Sequence, residues 1–335
     1  MESFLLHRLQ HVKVNGTFSK MNNVTSGVPQ GSVLGPILFL IFINDLPNIL
    51  STCSSTIFAD DTKLSMKVNT DHDVATFQND LDMLAEWCKT WRLQFNADKC
   101  HILHLGKKNF RNYYHLNGRL LTSVNEEKDL GVIISEDLAA EKNVGHCVKK
   151  ANKVLGMIRR TFSYLNQSMV SQLYKVFVRP HLEYCQQACS PYLKKDQDKL
   201  EKVQRSATKL MQHMKDLPYE ERLKELNLYS LEERRMRGDM ILMYRLLSGD
   251  LDIDYRRFFT YVQPNTQTEK LRSYNRHSKI VKAYHSSTKD IDVRRNFFSQ
   301  RAINPWNSLP ESVVSSESIK AFKWKYDNWR GKIIV

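Results

Sequence analysis

The sequence predicts an α+β fold, in which mixed strands and helices are followed by a region of helices alone. Two patterns lead to this prediction. The first 135 residues combine hairpin signals with short alternating segments, and one amphipathic helical pattern crosses them. Beyond residue 140, long helical patterns follow one another with few strand signals. We therefore expect an antiparallel sheet with helices on one face in the first part.

Three regions follow from this change of pattern. Residues 1–135 form the mixed domain, residues 140–250 form a helical domain, and residues 251–335 form an irregular C-terminal tail. The tail contains several prolines, and we expect only a short helix near its end, at 318–329. With 335 residues, of which 41% are hydrophobic, the chain is long enough for two or three packed domains.

Turn residues place hairpins in the mixed domain. Asn15-Gly16 is a strong signal for a two-residue turn between short strands. The segments 56–59 and 63–68 alternate as strands, so Asp60-Asp61 lies at the tip of a second hairpin. A third hairpin is predicted over 129–134, and residues 100–105 have the pattern of a further strand.

Helical patterns begin with an apolar segment at 33–46, which follows the turn at 26–32 and ends before Pro47. The segment 72–92 is amphipathic and carries apolar residues at steps of three and four. The helical domain contains the remaining patterns, at about 141–165, 168–185, 194–214, 218–226 and 230–248.

The positive charge of the chain favours a polyanionic partner. It has 50 Lys and Arg against 36 Asp and Glu, a net charge of +14. Residues 141–215 contain 15 of these cations and only 5 acidic residues, a net charge of +10. Contact with nucleic-acid phosphates needs such clustered cations. The alternative is a solvated polar helix face.

Other features argue against a membrane or secreted protein. The longest apolar run, 37–43, is far shorter than the roughly 20 residues of a membrane-spanning helix, and the first ten residues lack a signal-peptide core. Six cysteines without a Cys-x-x-Cys pair are typical of reduced thiols, so we expect an intracellular protein, in the nucleus or the cytoplasm.

His181, Cys185 and Cys189 recur every four residues, a spacing that could suggest a metal site on one helix face. Zinc needs four ligands and no fourth is evident nearby, so core thiols beside a helical histidine are the alternative.

Two adjacent carboxylates at a hairpin tip suit a hard divalent cation. Mg²⁺ takes oxygen ligands and binds through one or two carboxylates together with substrate phosphates. Asp60 and Asp61 have this arrangement. An Asp-Asp pair in a turn is also a common solvated turn, so the pair gains significance only from the motifs around it.

Those motifs form a specific set. Gly27-Val28-Pro29-Gln30-Gly31-Ser32 precedes the apolar helix that ends in Ile43-Asn44-Asp45-Leu46, and Phe58-Ala59-Asp60-Asp61-Thr62 follows. In this order they closely resemble the palm of reverse transcriptases from non-LTR, LINE-type (Jockey-like) retrotransposons. The likeness continues through residues 128–132, 178–184 and 301–310, so it covers essentially the whole chain. The first domain then corresponds to the C-terminal part of a palm, and the basic helical domain is thumb-like.

The resemblance implies RNA-directed DNA polymerase activity, with an RNA template, a DNA primer and deoxynucleoside triphosphates as partners. Two Mg²⁺ ions serve such phosphoryl transfer, one at the primer 3′-hydroxyl and one at the departing pyrophosphate. Asp60 matches the metal-binding aspartate of the family and Asp61 its neighbour. Asp45, in contrast, is interpreted as a capping residue at the end of its helix.

The resemblance also implies contacts to nucleotide and primer. Pro29, Gln30 and Gly31 match the turn that lines the nucleotide pocket, where glycine allows close backbone approach. Phe58 matches the aromatic position near the primer end, although a buried strand residue would look the same. Leu130 and Gly131 match the hairpin that grips the primer, and an ordinary tight turn is the alternative.

One motif of the family is missing from the residues before the Gly-Val-Pro-Gln-Gly turn. The family carries a first metal-binding aspartate on an earlier strand, but residues 1–27 contain no aspartate and Glu2 is their only carboxylate. Two metals held together need carboxylates from more than one element. We therefore expect the C-terminal half of a reverse transcriptase, truncated and inactive alone. The alternative is a non-catalytic remnant that binds RNA or DNA.

Overall fold

The protein, described by a computed structural model at residues 2–106, 109–261, 280–282 and 292–331, mixes helices with short strands. This confirms the predicted α+β class. The chain divides into two compact units, Met1–Val124 and Asn125–Val335. Residues 125–135, which the sequence pattern grouped with the first domain, pack against the helix that follows them in the second unit.

The first unit contains three helices and ten strands among its described residues. The helices are α1 Glu2–Leu5, α2 Leu34–Ile43 and α3 Asp71–Trp91. The strands are β1 Arg8–Gln10, β2 Lys13–Val14, β3 Thr17–Phe18, β4 Asn22–Val24, β5 Ser54–Phe58, β6 Asp61–Ser65, β7 His101–Leu103, β8 His115–Leu116, β9 Arg119–Leu120 and β10 Thr122–Val124.

These strands do not form the single antiparallel sheet that the sequence predicts. In the described residues they pair two by two, as β1 with β4, β2 with β3, β5 with β6, β7 with β10 and β8 with β9, and the β7–β10 pair is parallel. Each strand has at most five residues. Short strands of this kind bury little side-chain area, so the helices provide most of the packing surface. The expected shared sheet is therefore wrong.

Helix α3 organises the core of the first unit. Thr70 and Asp73 form a capping box at its start, and Arg92 ends it with a left-handed φ of 55°. Its buried side chains divide between two clusters, one with Leu84 and Cys88 against α2 and β5–β6, the other with Leu81 against β8. The amphipathic pattern predicted at 72–92 is thus confirmed.

The second unit begins with β11 Glu126–Asp129 and β12 Val132–Ser135, an antiparallel hairpin. Its main helices are α4 Glu141–Thr161, α5 Gln167–Leu173, α6 Arg179–Glu183, α7 Lys194–Thr208, α8 Tyr219–Glu225 and α9 Leu231–Leu247. A π-helical turn, Tyr174–Val178, joins α5 to α6. The five helical patterns predicted from the sequence correspond to these elements, within a few residues at each end.

Two apolar cores lie in the second unit. The first joins α4 to α8 around buried residues such as Leu155, Val178 and Leu200. The second surrounds α9 and includes a two-stranded sheet, β13 Phe259–Tyr261 with β14 Ile280–Lys282. Four further helices join that second core: α11 Phe298–Arg301, α12 Ile303–Asn307, α13 Glu311–Val314 and α14 Ile319–Trp329. A short helix before them, α10 Asp292–Arg295, contacts α11.

The described part of the tail is therefore not irregular, as the sequence suggested. Phe322 of α14 stacks between Tyr244 of α9 and Trp306 of α12, with ring centroids 4.5 Å and 5.9 Å away. Two bidentate ion pairs support this packing, Arg237 with Asp327 and Arg301 with Asp239. Buried aromatic residues thus organise short helices whose sequences alone lack a long helical period. The terminal helix was predicted and is confirmed.

Among the described helices, none is both long enough and apolar enough to cross a membrane.

Candidate active site

The predicted carboxylate hairpin is formed by β5 and β6. Phe58 pairs with Asp61, so Ala59 and Asp60 alone make the turn. Ala59 has a φ of 52°, a left-handed conformation that costs a residue with a Cβ roughly 1–2 kcal/mol. Strain of this kind persists where surrounding structure enforces it, often at functional sites. The tip is thus a strained two-residue turn that carries Asp60, with Asp61 next to it.

Both carboxylates point to an open surface. Asp60 and Asp61 are exposed, and in the described structure neither side chain has a hydrogen-bonding or ion-pairing partner. No group of three or more His, Cys, Asp or Glu side chains suited to a metal occurs in the described residues. The chain therefore presents two exposed carboxylates side by side at this tip.

The two faces of the hairpin differ. Ile57 and Leu64 turn inward and pack on the cluster that includes Leu46, Leu84 and Trp87. Phe58 turns outward and is 63% exposed. The alternative that Phe58 is a buried strand residue is therefore wrong, and an aromatic ring lies free beside the carboxylates.

Asp80 of α3 anchors the chain that leads into β5. Its carboxylate accepts five hydrogen bonds, from the backbone N–H groups of Ser51, Thr52 and Cys53 at 2.8–3.2 Å and from the hydroxyls of Ser51 and Thr52 at 2.6 and 2.9 Å. Asp80 is fully buried. Burial alone would raise the pKa of Asp80, because it disfavours the charged carboxylate. The hydrogen bonds from Ser51 and Cys53 have a larger effect in the opposite direction and hold the pKa of Asp80 well below the usual range.

Cys53 shares this site as a structural thiol. Burial, with a further contribution from the neighbouring Asp80 carboxylate, raises the pKa of Cys53 to about 12. The thiol therefore stays protonated at neutral pH and is a poor nucleophile.

The predicted nucleotide turn lies before α2. Arg8 donates to the backbone oxygens of Ser26 and Gly27 at 3.2 and 2.6 Å, and Gly31 has a φ of 79°. Ser32 Oγ donates to Pro29 O and accepts from Gly35 N–H, which fixes the turn to the start of the helix.

Around this turn, Pro29 is half-buried, while Gln30 and Gly31 are exposed. Asp45, beyond the far end of α2, accepts a 3.2 Å hydrogen bond from Trp87 Nε1 and precedes a short 3-10 helix. Its side chain therefore binds α3 and makes no capping hydrogen bond, and Asn44 rather than Asp45 is the C-cap of α2, so the interpretation of Asp45 as the capping residue of that helix is wrong.

The second candidate hairpin, β11–β12, is held at its tip. Leu130 and Gly131 make the turn, with φ values of 44° and 86°. Tyr184, just after α6, donates a 2.7 Å hydrogen bond to Leu130 O, and its ring would lie 3.4 Å from a Cβ at Gly131. Asn143 of α4 accepts from Ile133 N–H at 3.1 Å. The turn thus has the conformation of an ordinary tight turn, and contacts from Tyr184 and Asn143 hold it in place.

Part of the positive charge of the second unit is free. Exposed cations without a side-chain partner among the described residues include Lys128 of β11 and Lys149, Lys150, Lys153 and Arg160 of α4. Burial and the nearby charges of Lys150, Lys128 and Lys149 lower the pKa of His146, which indicates that the hairpin and helix cations lie close together.

The predicted zinc pattern is not a metal site in the described structure. Cys185 and Cys189 are free thiols, and no suitable ligand group includes them or His181. Burial raises the pKa of Cys189 to about 11. Both thiols are of intermediate exposure and neither belongs to an apolar core of the described residues.

Comparison with known proteins identifies the lineage of these elements. The family model described as reverse transcriptase (RNA-dependent DNA polymerase) matches residues 1–169, half of the chain, and includes both hairpins. The chain belongs to the reverse transcriptase family. The resemblance to non-LTR retrotransposon enzymes is confirmed by its relatives, which are polymerases of mobile elements.

Three such relatives come from Drosophila melanogaster. The RNA-directed DNA polymerase from mobile element jockey is 30% identical over 153 residues, 43% of this chain and 17% of the relative. The probable polymerase from transposon X-element is 27% identical over 62% of this chain and 24% of its own length. The one from transposon BS is 27% identical over 70% of this chain and 28% of its own. The matched part of the chain thus spans 17–28% of the length of these relatives. No solved structure matches it.

In this reverse transcriptase chain, the structure shows Gln30, Phe58, Asp60 and Asp61, which the sequence singled out, to be exposed, and it adds supporting residues that the sequence analysis missed. No hydrogen bond of the described residues joins the Pro29–Gly31 turn to the Asp60 tip, and Leu130 and Gly131 belong to the other unit. Asp80 was not singled out, although an aspartate between the core residues Phe77 and Leu84 interrupts an apolar stripe. Tyr184 stood in a recognised motif without an assigned role.

Proposed function

We propose that the chain is part of the RNA-directed DNA polymerase of a mobile element and that Asp60 is a ligand of a catalytic metal ion. The hairpin tip carries this proposal. The exposed, unpaired carboxylate of Asp60 stands on a strained turn, with that of Asp61 at the first residue of β6, within the segment that the family model matches. A solvated surface turn needs no left-handed alanine, because glycine or asparagine would adopt that conformation at lower cost.

The donor set fits Mg²⁺ in part. Asp60 and Asp61 offer the hard oxygen ligands that Mg²⁺ prefers, and substrate phosphates commonly complete such sites. When bound, the metal ions would activate the primer 3′-hydroxyl and stabilise the leaving pyrophosphate. Residues 1–27 contain no aspartate, and in this proposal a further carboxylate is supplied by another polypeptide segment.

The other site residues would hold the substrates. The exposed backbone at Gln30 and Gly31 allows close approach of a nucleotide, since Gly31 has no side chain to obstruct it. The exposed ring of Phe58 would pack on the primer end, next to the carboxylates. The braced Leu130–Gly131 turn would contact the primer strand.

RNA template and DNA primer are the partners that the free cations fit. Lys128, Lys149, Lys150, Lys153 and Arg160 are exposed and are not neutralised by neighbours in the described structure. Each phosphate that such a cation neutralises releases counterions, so affinity falls steeply with salt. We expect a variant with Lys128, Lys149, Lys150 and Lys153 all changed to glutamine to show a smaller slope of log affinity against log salt concentration. The control variant Lys67→Gln/Lys99→Gln, at two other exposed lysines, should leave this slope nearly unchanged.

Complementation of primer extension tests the function. The chain alone should not extend oligo(dT) on poly(rA) in Mg²⁺. We then add a fragment of a jockey-type relative. This fragment carries the upstream aspartate segment and ends before the hairpin that corresponds to β5–β6, and extension should appear in its presence. Asp60→Ala should abolish this extension, while Asp82→Ala, an exposed aspartate of α3, should retain it.

Either of two results would overturn the proposal. Extension that Asp60→Ala leaves intact would remove Asp60 from the site. A mixture that binds template and primer but never extends the primer would favour nucleic-acid binding without catalysis.

A further inference from the structure

Helix α14 presents two aromatic sets on opposite sides. Phe322 and Tyr326 lie inward, with their rings stacked 6.0 Å apart and with Phe322 against Tyr244 and Trp306. Trp324 follows Phe322 by two residues, about 200° around the helix. It is 63% exposed, and no ring packs on it among the residues that the structure describes.

The exposed indole stands among free cations. Lys320 and Lys323 are exposed, and Lys325 is half-exposed, and none of the three has a partner in the described part of the chain. The one acidic residue of the helix, Asp327, is buried and held by Arg237 at 2.7 and 2.8 Å. The surface around Trp324 is therefore positive, with an uncovered π face at its centre.

This combination distinguishes between possible occupants. A core residue of another protein could cover an indole, but three unpaired lysines around it favour an anionic partner. Single-stranded nucleic acid offers both a phosphate backbone for the lysines and unstacked bases for the ring. A duplex offers only the phosphates, because its bases are already stacked on each other.

We propose that Trp324, with Lys320 and Lys323, is a stacking platform for single-stranded nucleic acid on the outer face of α14. The platform lies outside residues 1–169 that the family model matches. It shares with the proposed function a nucleic-acid partner, but it does not depend on the metal-binding hairpin. It would hold unpaired template or element RNA by base stacking without reading a particular sequence.

Fluorescence anisotropy with the full chain tests the platform, using a labelled twelve-nucleotide oligo(U) and an RNA hairpin duplex of similar length as probes. Trp324→Ala should weaken oligo(U) binding about tenfold, in line with the stacking contribution of one base. Trp324→Phe should lose less, because it keeps a ring. Duplex binding should change less than about twofold in both variants.

Matched variants separate the platform from general effects. Tyr113→Ala removes an exposed ring elsewhere and should leave oligo(U) binding unchanged. Lys320→Gln/Lys323→Gln should weaken oligo(U) binding more than Lys67→Gln/Lys99→Gln, which removes the same charge from other exposed sites.

Equal oligo(U) affinity for the Trp324→Ala variant and the unchanged chain would overturn the proposal and leave a protein partner as the explanation of the indole. Equal losses on oligo(U) and duplex would overturn base stacking. Because anisotropy measures binding of the oligonucleotide and not primer extension, either failure is distinguishable from failure of the proposed function.

Discussion

The hairpins β5–β6 of the first unit and β11–β12 of the second have turns of the same length but are held in opposite ways. β5–β6 is fixed at its base, where Asp80 binds the chain just before β5, and its tip at Ala59-Asp60 is free. β11–β12 is fixed at its tip, where Tyr184 donates to Leu130 O. A metal-binding tip must leave its carboxylates open to ions and phosphates, whereas a turn that holds a strand benefits from a rigid backbone. The difference in support thus matches the difference in proposed role.

Removal of the anchor under β5 should have the largest effect. Asp80→Ala would leave three backbone N–H groups without acceptors, of which the one of Cys53 is buried and those of Ser51 and Thr52 are part-buried. A buried group left without a partner costs roughly 1–3 kcal/mol and a part-buried one less, so we expect a loss of about 2–4 kcal/mol in the free energy of unfolding, measured by urea denaturation. Asp80→Asn, which keeps one acceptor oxygen, should lose less. Equal stability of the Asp80→Ala variant would contradict the anchoring role.

The same anchor predicts a dependence on pH. The folded pKa of Asp80 lies below that of an unfolded aspartate, roughly 3.9, so the unfolded state binds more protons between the two values. Its stabilisation is therefore complete above about pH 4 and declines as the pH falls toward the folded pKa. The stability difference between the unchanged chain and Asp80→Asn should shrink below about pH 4, and a constant difference would contradict this account.

Loss of the brace on the second hairpin should have a smaller, local effect. Tyr184→Phe keeps the ring over Gly131 and removes only the hydrogen bond to Leu130 O, worth about 1 kcal/mol. Hydrogen exchange at residues 130–133 should become faster, while residues 57–62 should be unaffected. Unchanged exchange at 130–133 would show that packing of the ring alone holds the turn.

Two single substitutions at the tips, Ala59→Gly and Gly131→Ala, should have the smallest effects on the free energy of unfolding, with opposite signs. Ala59→Gly removes left-handed strain but makes the unfolded chain more flexible, so we expect a net gain of a few tenths to about 1 kcal/mol. Gly131→Ala introduces such strain and places a Cβ against Tyr184, so it should lose about 1 kcal/mol or more. Thermal unfolding measures both, and destabilisation by Ala59→Gly would contradict the strained tip.

Local signals account for what the sequence predicted. Asn15-Gly16 and Leu130-Gly131 make two-residue turns because both positions adopt a positive φ, and helices such as α3 follow from periodicity. The exposed carboxylates followed from motif order.

The supports of the site could not be predicted in the same way, because they join distant segments. Asp80 meets Ser51 across 29 residues, and Tyr184 meets Leu130 across 54. The parallel pairing of β7 with β10 and the packing of α14 on α9 also depend on tertiary partners that no local pattern reveals.

Mn²⁺ binding followed by NMR line broadening tests the central claim most directly, because Mn²⁺ takes the same oxygen ligands as Mg²⁺. With template, primer and nucleotide present, signals of residues 58–61 should broaden at lower Mn²⁺ than those of the exposed Asp82 and Asp98. Asp60→Asn should abolish this preference. In that variant, the signals of residues 130–131 should not broaden at low Mn²⁺ either. Broadening that is equal at all exposed aspartates, or unchanged in Asp60→Asn, would contradict the assignment of Asp60 as the metal ligand.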